Sequence, residues 1–299
     1  MIHFNPSRIL IPVDFSETSL LAIKHGAFIA QFTKADLSLL HVVNIPYISQ
    51  DLFLPTVNLE DQSNMERKAM QKLLELCQDI KNEYGVNTES IIKVGSPNRE
   101  ICDVAKEVKA SLIIMGTHGY SPIQEILIGS TALKVITNAP CPTMAMSSTA
   151  SHKGYNNILM PFDTTATSRH KVNFTLEFAK KFNATVHSVA LLDDEDDRGA
   201  MEVILKQVDD LAKEKGVKTT SEILSNVKNR ATATVTAAEQ KGADLLVIMT
   251  DQDAELSGLF LGPYSQQILH LSKVPVIAIR PADLYADPDG SLLPGTSGS

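Results

Sequence analysis

The sequence predicts an α/β fold built as two tandem doubly wound domains, each a five-stranded parallel sheet with helices on both faces. Three observations carry that reading. The 299-residue chain is long enough for two ordinary domains. It repeats itself once: "ILIPVDFSETSLLAIKHGAFIAQFTKADLSLL" (9–40) aligns without gaps on "ILMPFDTTATSRHKVNFTLEFAKKFNATVHSV" (158–189) at an offset of 149, as a duplicated structural unit does. Within each unit, short runs rich in β-branched residues alternate with helical patterns. Those runs are apolar almost throughout, as strands buried on both faces of a parallel sheet must be.

In chain order, "RILIPV" (8–13) reads as the first strand, and 17–32 as a helix capped by Ser16, whose hydroxyl can accept from an unpaired N–H of the first turn. "DLSLLHVV" (36–43) is the second strand and 59–84 a long helix; "TESIIKV" (88–94) is the third strand, followed by a helix over 98–109. "SLIIM" (111–115), a helix from about 130 to 138, and "CPTMAM" (141–146) complete the unit. The end of the second unit repeats the end of the first, "IGSTALKVITNAPCPTMAM" (128–146) on "LGPYSQQILHLSKVPVIAI" (261–279), at an offset of 133. The smaller offset makes the second unit shorter in its middle, and "NIPYISQDLFLPTVNLEDQ" (44–62) has no full counterpart. The domains are placed at 1–147 and 158–281. Between them 148–157 is a polar, Gly- and Ser-containing linker, and 282–299, rich in Pro, Gly, Asp and Ser, is a flexible tail. "CPTMAM" and "VPVIAI" (274–279) are short apolar strands at sheet ends, and such edges need a partner. Pairing them gives an intramolecular domain pair; a homo-dimer of the whole chain is also expected.

A net charge of −8 offers no electrostatic footprint for nucleic acid or an anionic membrane surface, so neither is expected as a partner. Cys77, Cys102 and Cys141 are widely spaced without a C-x-x-C pair, which fits small buried hydrophobes in a reducing compartment better than a disulfide framework or a zinc site. No run reaches the roughly 18 apolar residues of a membrane span, and the start has no signal-peptide pattern. A cytoplasmic location is expected.

In an open parallel sheet, ligands sit beyond the carboxyl ends of the strands where the strand order reverses. The candidate residues occupy such ends. Pro12 and Val13 close the first strand, and Asp14 follows with a carboxylate suited to a ribose hydroxyl or a metal-bound water. The plain alternative for Asp14 is a turn aspartate that bonds its own backbone ahead of the helix. Val42 and Val43 close the second strand, where backbone groups can grip a purine edge. Met115 closes the fourth, and "GTHGYSPIQEILIGST" (116–131) follows it. Gly116, Gly119 and Gly129 permit positive φ and close approach of a ligand to the main chain. A helix opening after Gly129 leaves N–H groups that attract anions, and Ser130 and Thr131 add hydroxyls. His118 lies inside this loop, a candidate phosphate contact whose plain alternative is an incidental loop histidine. His25, His41 and His170 have no metal-ligand spacing, and "DDEDDR" (193–198) lacks a calcium-loop pattern and reads as a solvated loop. No metal held by protein ligands alone is expected.

"G-T-H-G", nine further residues and "G-S-T" resemble the G-x2-G-x9-G-S/T nucleotide signature of the universal stress protein family. "ILIPVDFS" and "APCPTMAM" resemble that family's first and last strands, and the likeness runs over residues 6 to 281. The resemblance implies strand order 3-2-1-4-5 in each domain, pairing of the domains through their last strands, and an adenine nucleotide, ATP with or without Mg2+, in the first unit. It also implies a role in stress response or signalling. The second unit departs from the signature: Met249 stands for Gly116, Gln252 for Gly119 and Pro263 for Ser130, while Asp163 and Gly262 are kept. Proline suits the first helical position but offers neither N–H nor hydroxyl to a phosphate, so a triphosphate is expected in the first unit alone. There is no G-x4-G-K-[ST] loop and no nucleophile signature; no catalysis is expected beyond slow ATP hydrolysis, with ATP acting as a ligand. The alternative is a nucleotide-independent scaffold or partner-binding dimer of the same fold. An ATP-consuming enzyme of a related fold is disfavoured, because "DFSETS" (14–19) stands where its S-G-G-x-D-S loop belongs.

Overall fold

The computed structural model describes residues 2–44, 59–117, 128–147, 150, 154–250 and 261–281. The first half runs Arg8–Pro12 (β1), Glu17–Thr33 (α1), Asp36–Val43 (β2), Leu59–Tyr84 (α2), Thr88–Val94 (β3), Pro97–Glu107 (α3), Leu112–Gly116 (β4), Ser130–Asn138 (α4) and Thr143–Met146 (β5). The second half runs Asn157–Phe162 (β6), a 3-10 turn at Ala166–Arg169, Val172–Phe182 (α5), Thr185–Leu191 (β7), Arg198–Lys215 (α6), Lys218–Leu224 (β8), Arg230–Gln240 (α7), Leu245–Met249 (β9), Pro263–Leu271 (α8) and Val276–Ile279 (β10).

The strands join in the order β3-β2-β1-β4-β5-β10-β9-β6-β7-β8. Each half is therefore a parallel 3-2-1-4-5 sheet, and the halves meet antiparallel, with Ala145 opposite Val276, Met144 opposite Ile277 and Thr143 opposite Ala278. The last strands take each other as partners, and two exposed edges vanish into one ten-stranded sheet. β5 begins at Thr143, later than its apolar run: Pro142 has no N–H to give a ladder, although its carbonyl accepts from Ile113 N–H at 3.0 Å.

α1 starts as the sequence predicts. Ser16 accepts from Ser19 N–H, and the helix ends at Lys34 in the left-handed region (φ 61°). It lies so close on the sheet that a Cβ at Gly26 would stand 2.4 Å from Ile11 Cδ1. The second half differs here. Its first turn is a 3-10 turn, and Lys171, which stands where the first half has Ala22, is buried with its ammonium 4.7 Å over the Phe162 ring. Lys171 Nζ donates to the Ser168 carbonyl, which a continuous helix would offer to Val172, and burial pushes its pKa down to about 7.

The halves also meet through aromatic rings. Phe4 crosses from the N-terminus, packs 4.7 Å from Phe178 and 5.2 Å from Phe174, and donates its N–H to Glu177 Oε2 at 2.8 Å. Tyr155 sits 5.1 Å from Phe178 and 5.2 Å from Phe182, its hydroxyl 2.7 Å from His25 Nδ1. Phe28 of α1 stacks on Phe182 of α5. The connecting stretch is thus less of a loose tether than its polar composition implies, because Ala150 and Tyr155 are buried in it at 4% and 2% exposure. Among the described residues no helix is long and apolar enough to cross a membrane.

Phe178 is fully buried and packs against Phe4 of the N-terminal arm, Tyr155 of the connecting stretch and Phe182 of its own helix. Phe178→Ala should cost about 3–5 kcal/mol in urea unfolding of the whole chain. A cost under about 1 kcal/mol, that of a single ordinary hydrogen bond, would show that the ring cluster does not hold the halves together.

Candidate functional site

β1 stops at Pro12, opposite Leu40, while β2 runs on through His41, Val42 and Val43. On its other side β4 reaches Gly116. β1 therefore ends at the bottom of a notch in the carboxyl edge of the sheet, at the point where strand order reverses.

The notch is built from the backbone first. Val13 N–H donates to the Leu40 carbonyl at 2.7 Å, so Leu40 faces β1. Two residues on, Val42 faces the same way, past the end of β1. Val43 faces the other way, and its carbonyl accepts from Gly95 N–H at 3.1 Å. Of the two valines, Val42 has its main chain turned to the notch, whereas Val43 serves β3 with its backbone and the core with its side chain, at 7% exposure.

Asp14 makes the turn that its plain alternative reading describes. Its Oδ1 accepts from Ser16 N–H at 3.0 Å and from Ser16 Oγ at 2.5 Å, a turn that sets the start of α1. Its Oδ2 lies outside those bonds, and the residue is exposed. Phe15, next in line, holds φ at 64°, a left-handed conformation that is uncommon for a bulky side chain and that marks functional or turn positions. Its ring packs 4.8 Å from His41, and Lys72 Nζ lies 5.2 Å over it. His41 Nδ1 is 2.7 Å from the Val13 carbonyl. A carbonyl only accepts, so Nδ1 carries the proton and the ring is pinned.

Beside β2 these groups open into a cavity of about 460 Å³ whose lining includes Phe15, His41, Val42, Val43, Asn44, Met65, Lys68 and Lys72. Phe15, His41 and the two lysines escape a reading based on strand ends. The signal available was the aromatic side chain next to Asp14 and the histidine two residues before Val43. A roomier groove, about 670 Å³, lies at His3, Phe4 and Glu177, away from the strand ends.

On the far side of β1, Met115 is buried in the core at 5% exposure and Gly116 ends β4. Thr117 N–H donates to the Met146 carbonyl at 2.8 Å, and the Thr117 carbonyl accepts from Gly129 N–H at 2.7 Å. This last bond clasps together the two ends of the loop between β4 and α4. His118 and Gly119 lie outside the described residues. Gly129 is the N-cap of α4, with φ −58° and ψ 139°. Neither it nor Gly116 is in the left-handed region, so positive φ is not the freedom used at these two positions. Gly129 is needed for closeness instead: an added Cβ would stand 3.2 Å from the Thr117 carbonyl oxygen. The first intrahelical bond of α4 runs from Leu133 N–H to the Gly129 carbonyl, so the N–H groups of Ser130, Thr131 and Ala132 precede it and face the helix entrance. Ser130 is exposed at the first helical position and Thr131 follows half-buried.

Asp14, Val42, Gly116, Gly129, Ser130 and Thr131 are thus brought to one edge: an open cavity at β2, a carboxylate at β1 and an anion-favouring helix start at β4. In the second half Asp163 makes the same turn, accepting from Thr165 N–H at 3.0 Å and Thr165 Oγ1 at 2.5 Å. The rest is altered: Met249 is buried where Gly116 stands, and Pro263 opens α8 where Ser130 opens α4.

A family model described as the universal stress protein family matches residues 6–146 and 154–280. A universal stress protein of Methanocaldococcus jannaschii is 35% identical over 141 residues, covering 46% of this chain and 81% of the relative. One from Mycolicibacterium smegmatis is 21% identical over 287 residues, covering 91% of this chain and 97% of its own. The crystal structure of a universal stress protein from Archaeoglobus fulgidus superposes with a TM-score of 0.77 at 21% identity, covering 93% of this chain and 99% of that one, a likeness of fold.

Ser16 both caps α1 and holds Asp14, and it is buried at 7% exposure. Ser16→Ala should lower stability by roughly 0.5–2 kcal/mol in urea unfolding, the cost of a lost cap, whereas Asp14→Ala leaves the cap bond intact and should cost less. Equal costs for the two would contradict this division of labour.

Proposed function

The chain belongs to the universal stress protein family, and from that premise we propose that it binds one adenine nucleotide, ATP, in the notch of its N-terminal domain. The base enters beside Val42, the ribose hydroxyls meet Asp14, and the phosphates reach the start of α4. The observation that carries this is the clasp between Thr117 and Gly129, which sets a helix N-terminus beside the end of β4, across β1 from an open cavity. The donor set fits the ligand: main-chain N–H groups, a hydroxyl and a glycine without a Cβ suit phosphate oxygens, and a carboxylate oxygen outside its own turn suits a ribose diol. A magnesium ion would share the charge of the phosphates. His118 and Gly119, between β4 and α4 in the sequence, are further candidates for phosphate contact.

The bound nucleotide acts chiefly as a ligand that stabilises the N-terminal domain and so reports its own availability, in a stress or signalling role in the cytoplasm. Phosphoryl transfer needs in-line positioning, charge neutralisation and a group that orients water. The N-terminal site supplies binding groups for the first of these, so any hydrolysis is slow.

Titration calorimetry on the full chain tests the reading. Ser130→Ala removes one bond to a charged group, about 1.5–3 kcal/mol, and should weaken ATP roughly 10- to 100-fold. Gly129→Val forces side-chain atoms against the Thr117 carbonyl and the phosphate path and should abolish measurable ATP binding in a folded protein. Asp14→Ala should weaken ATP and adenosine alike. A folded Gly129→Val protein that binds ATP as tightly as wild type would overturn the phosphate assignment.

A further inference from the structure

The carboxyl edge of the second half carries two acidic residues, Asp163 beyond β6 and Asp193 beyond β7, where the first half has Asp14 and Asn44. Two carboxylates at neighbouring strand ends repel unless a cation joins them. Arg230, the first residue of α7, is that cation. Its Nη2 and Nε meet Asp193 Oδ2 and Oδ1 at 2.7 and 3.1 Å, the two-pronged geometry of a guanidinium on a carboxylate, and its Nη1 lies 3.9 Å from Asp163 Oδ2. Its counterpart in the first half, at the offset of 133, is Pro97, which has no charge. Neighbouring bonds draw the same region shut. Val227 N–H donates to the Leu192 carbonyl at 2.9 Å, tying the approach to α7 to the end of β7, and the Tyr264 hydroxyl, on the position equivalent to Thr131, is 3.2 Å from Thr234 Oγ1 in α7.

We propose that Arg230 is the resident occupant of the C-terminal domain's strand-end site: a guanidinium-binding pair of carboxylates holds it in the notch, so that this domain is closed without a small molecule. A solvated surface ion pair is the plain alternative. The Asp193 side chain is 60% exposed and Arg230 32%, and a single pair that exposed contributes little. The fork geometry, and the convergence on one side chain of carboxylates from two strands, distinguish this cluster from such a pair. The likeness to a nucleoside site rests on the reading of Asp14 given above, but the clamp itself does not.

Hydrogen exchange on the full-length chain, wild type against Arg230→Ala and Arg230→Lys, tests it. In both variants the backbone of 192–197 and 227–233 should exchange about tenfold faster or more, the effect of one lost charge-assisted bond. Millimolar ethylguanidinium should restore protection to Arg230→Ala and ethylammonium should not. ATP affinity at the N-terminal site should stay within about twofold, since the sites share no partners. If Arg230→Ala unfolds, Arg230→Lys, which keeps charge and bulk, carries the comparison. Unchanged exchange in the variants, or equal rescue by ethylammonium, overturns the proposal. Failure of ATP to bind wild type would sink the nucleotide reading and leave the clamp result standing.

Discussion

In a parallel sheet all strands deliver their carboxyl ends to one edge, and the depth of that edge is set by where each strand stops. Here β1 stops at Pro12 while β2 continues to Val43 and β4 to Gly116. That mismatch leaves the backbone of Val42 facing past the end of its neighbour and Asp14 exposed just beyond β1, while the Thr117–Gly129 bond sets the start of α4 beside the end of β4. In the second half β6 runs on to Phe162, opposite Ala190, and β7 outlasts it only by Leu191. The second notch is shallower before any side chain is considered, and Arg230, Met249 and Pro263 occupy or alter what is left.

Much of this was legible in the sequence, for identifiable reasons. The strands were legible because parallel strands buried on both faces must be apolar throughout, and the duplication fixed their correspondence. Their order came from family resemblance, since no periodicity encodes which strand lies beside which. For the glycines the sequence leaves two reasons open, positive φ and close approach. Positive φ is the usual cause of a required glycine, yet Gly129 is needed because the Thr117 carbonyl approaches it, a contact 12 residues away in sequence that no local pattern reveals. Asp14 has two readings in the sequence, and the turn through Oδ1 is the one the fold shows, with Oδ2 outside it. Phe15, His41, Lys68 and Lys72 were missed as cavity residues because their placement depends on α2 folding back over β2. Tyr155 was missed because a polar stretch hid one ring that docks among partners more than 20 residues away on either side.

The two halves are one sheet but not two copies of one function. β5 and β10 are spent on each other, so a homo-dimer of this chain would have to form elsewhere, and among the described strands the edges left are β3 and β8. The aromatic cluster around Phe178 and the arm carrying Phe4 place the N-terminal residues against the second half, so stabilisation of either half is felt by the other. A ligand that binds only the folded N-terminal domain then stabilises the whole chain by mass action, while the second half contributes a fixed partner closed by its own arginine.

Native mass spectrometry of the intact chain in excess ATP and magnesium tests the central claim most directly. The account predicts a single added nucleotide per chain, lost in the Gly129→Val protein and kept in the Arg230→Ala protein. Two nucleotides per wild-type chain, or one that persists when Gly129 is replaced, would contradict it.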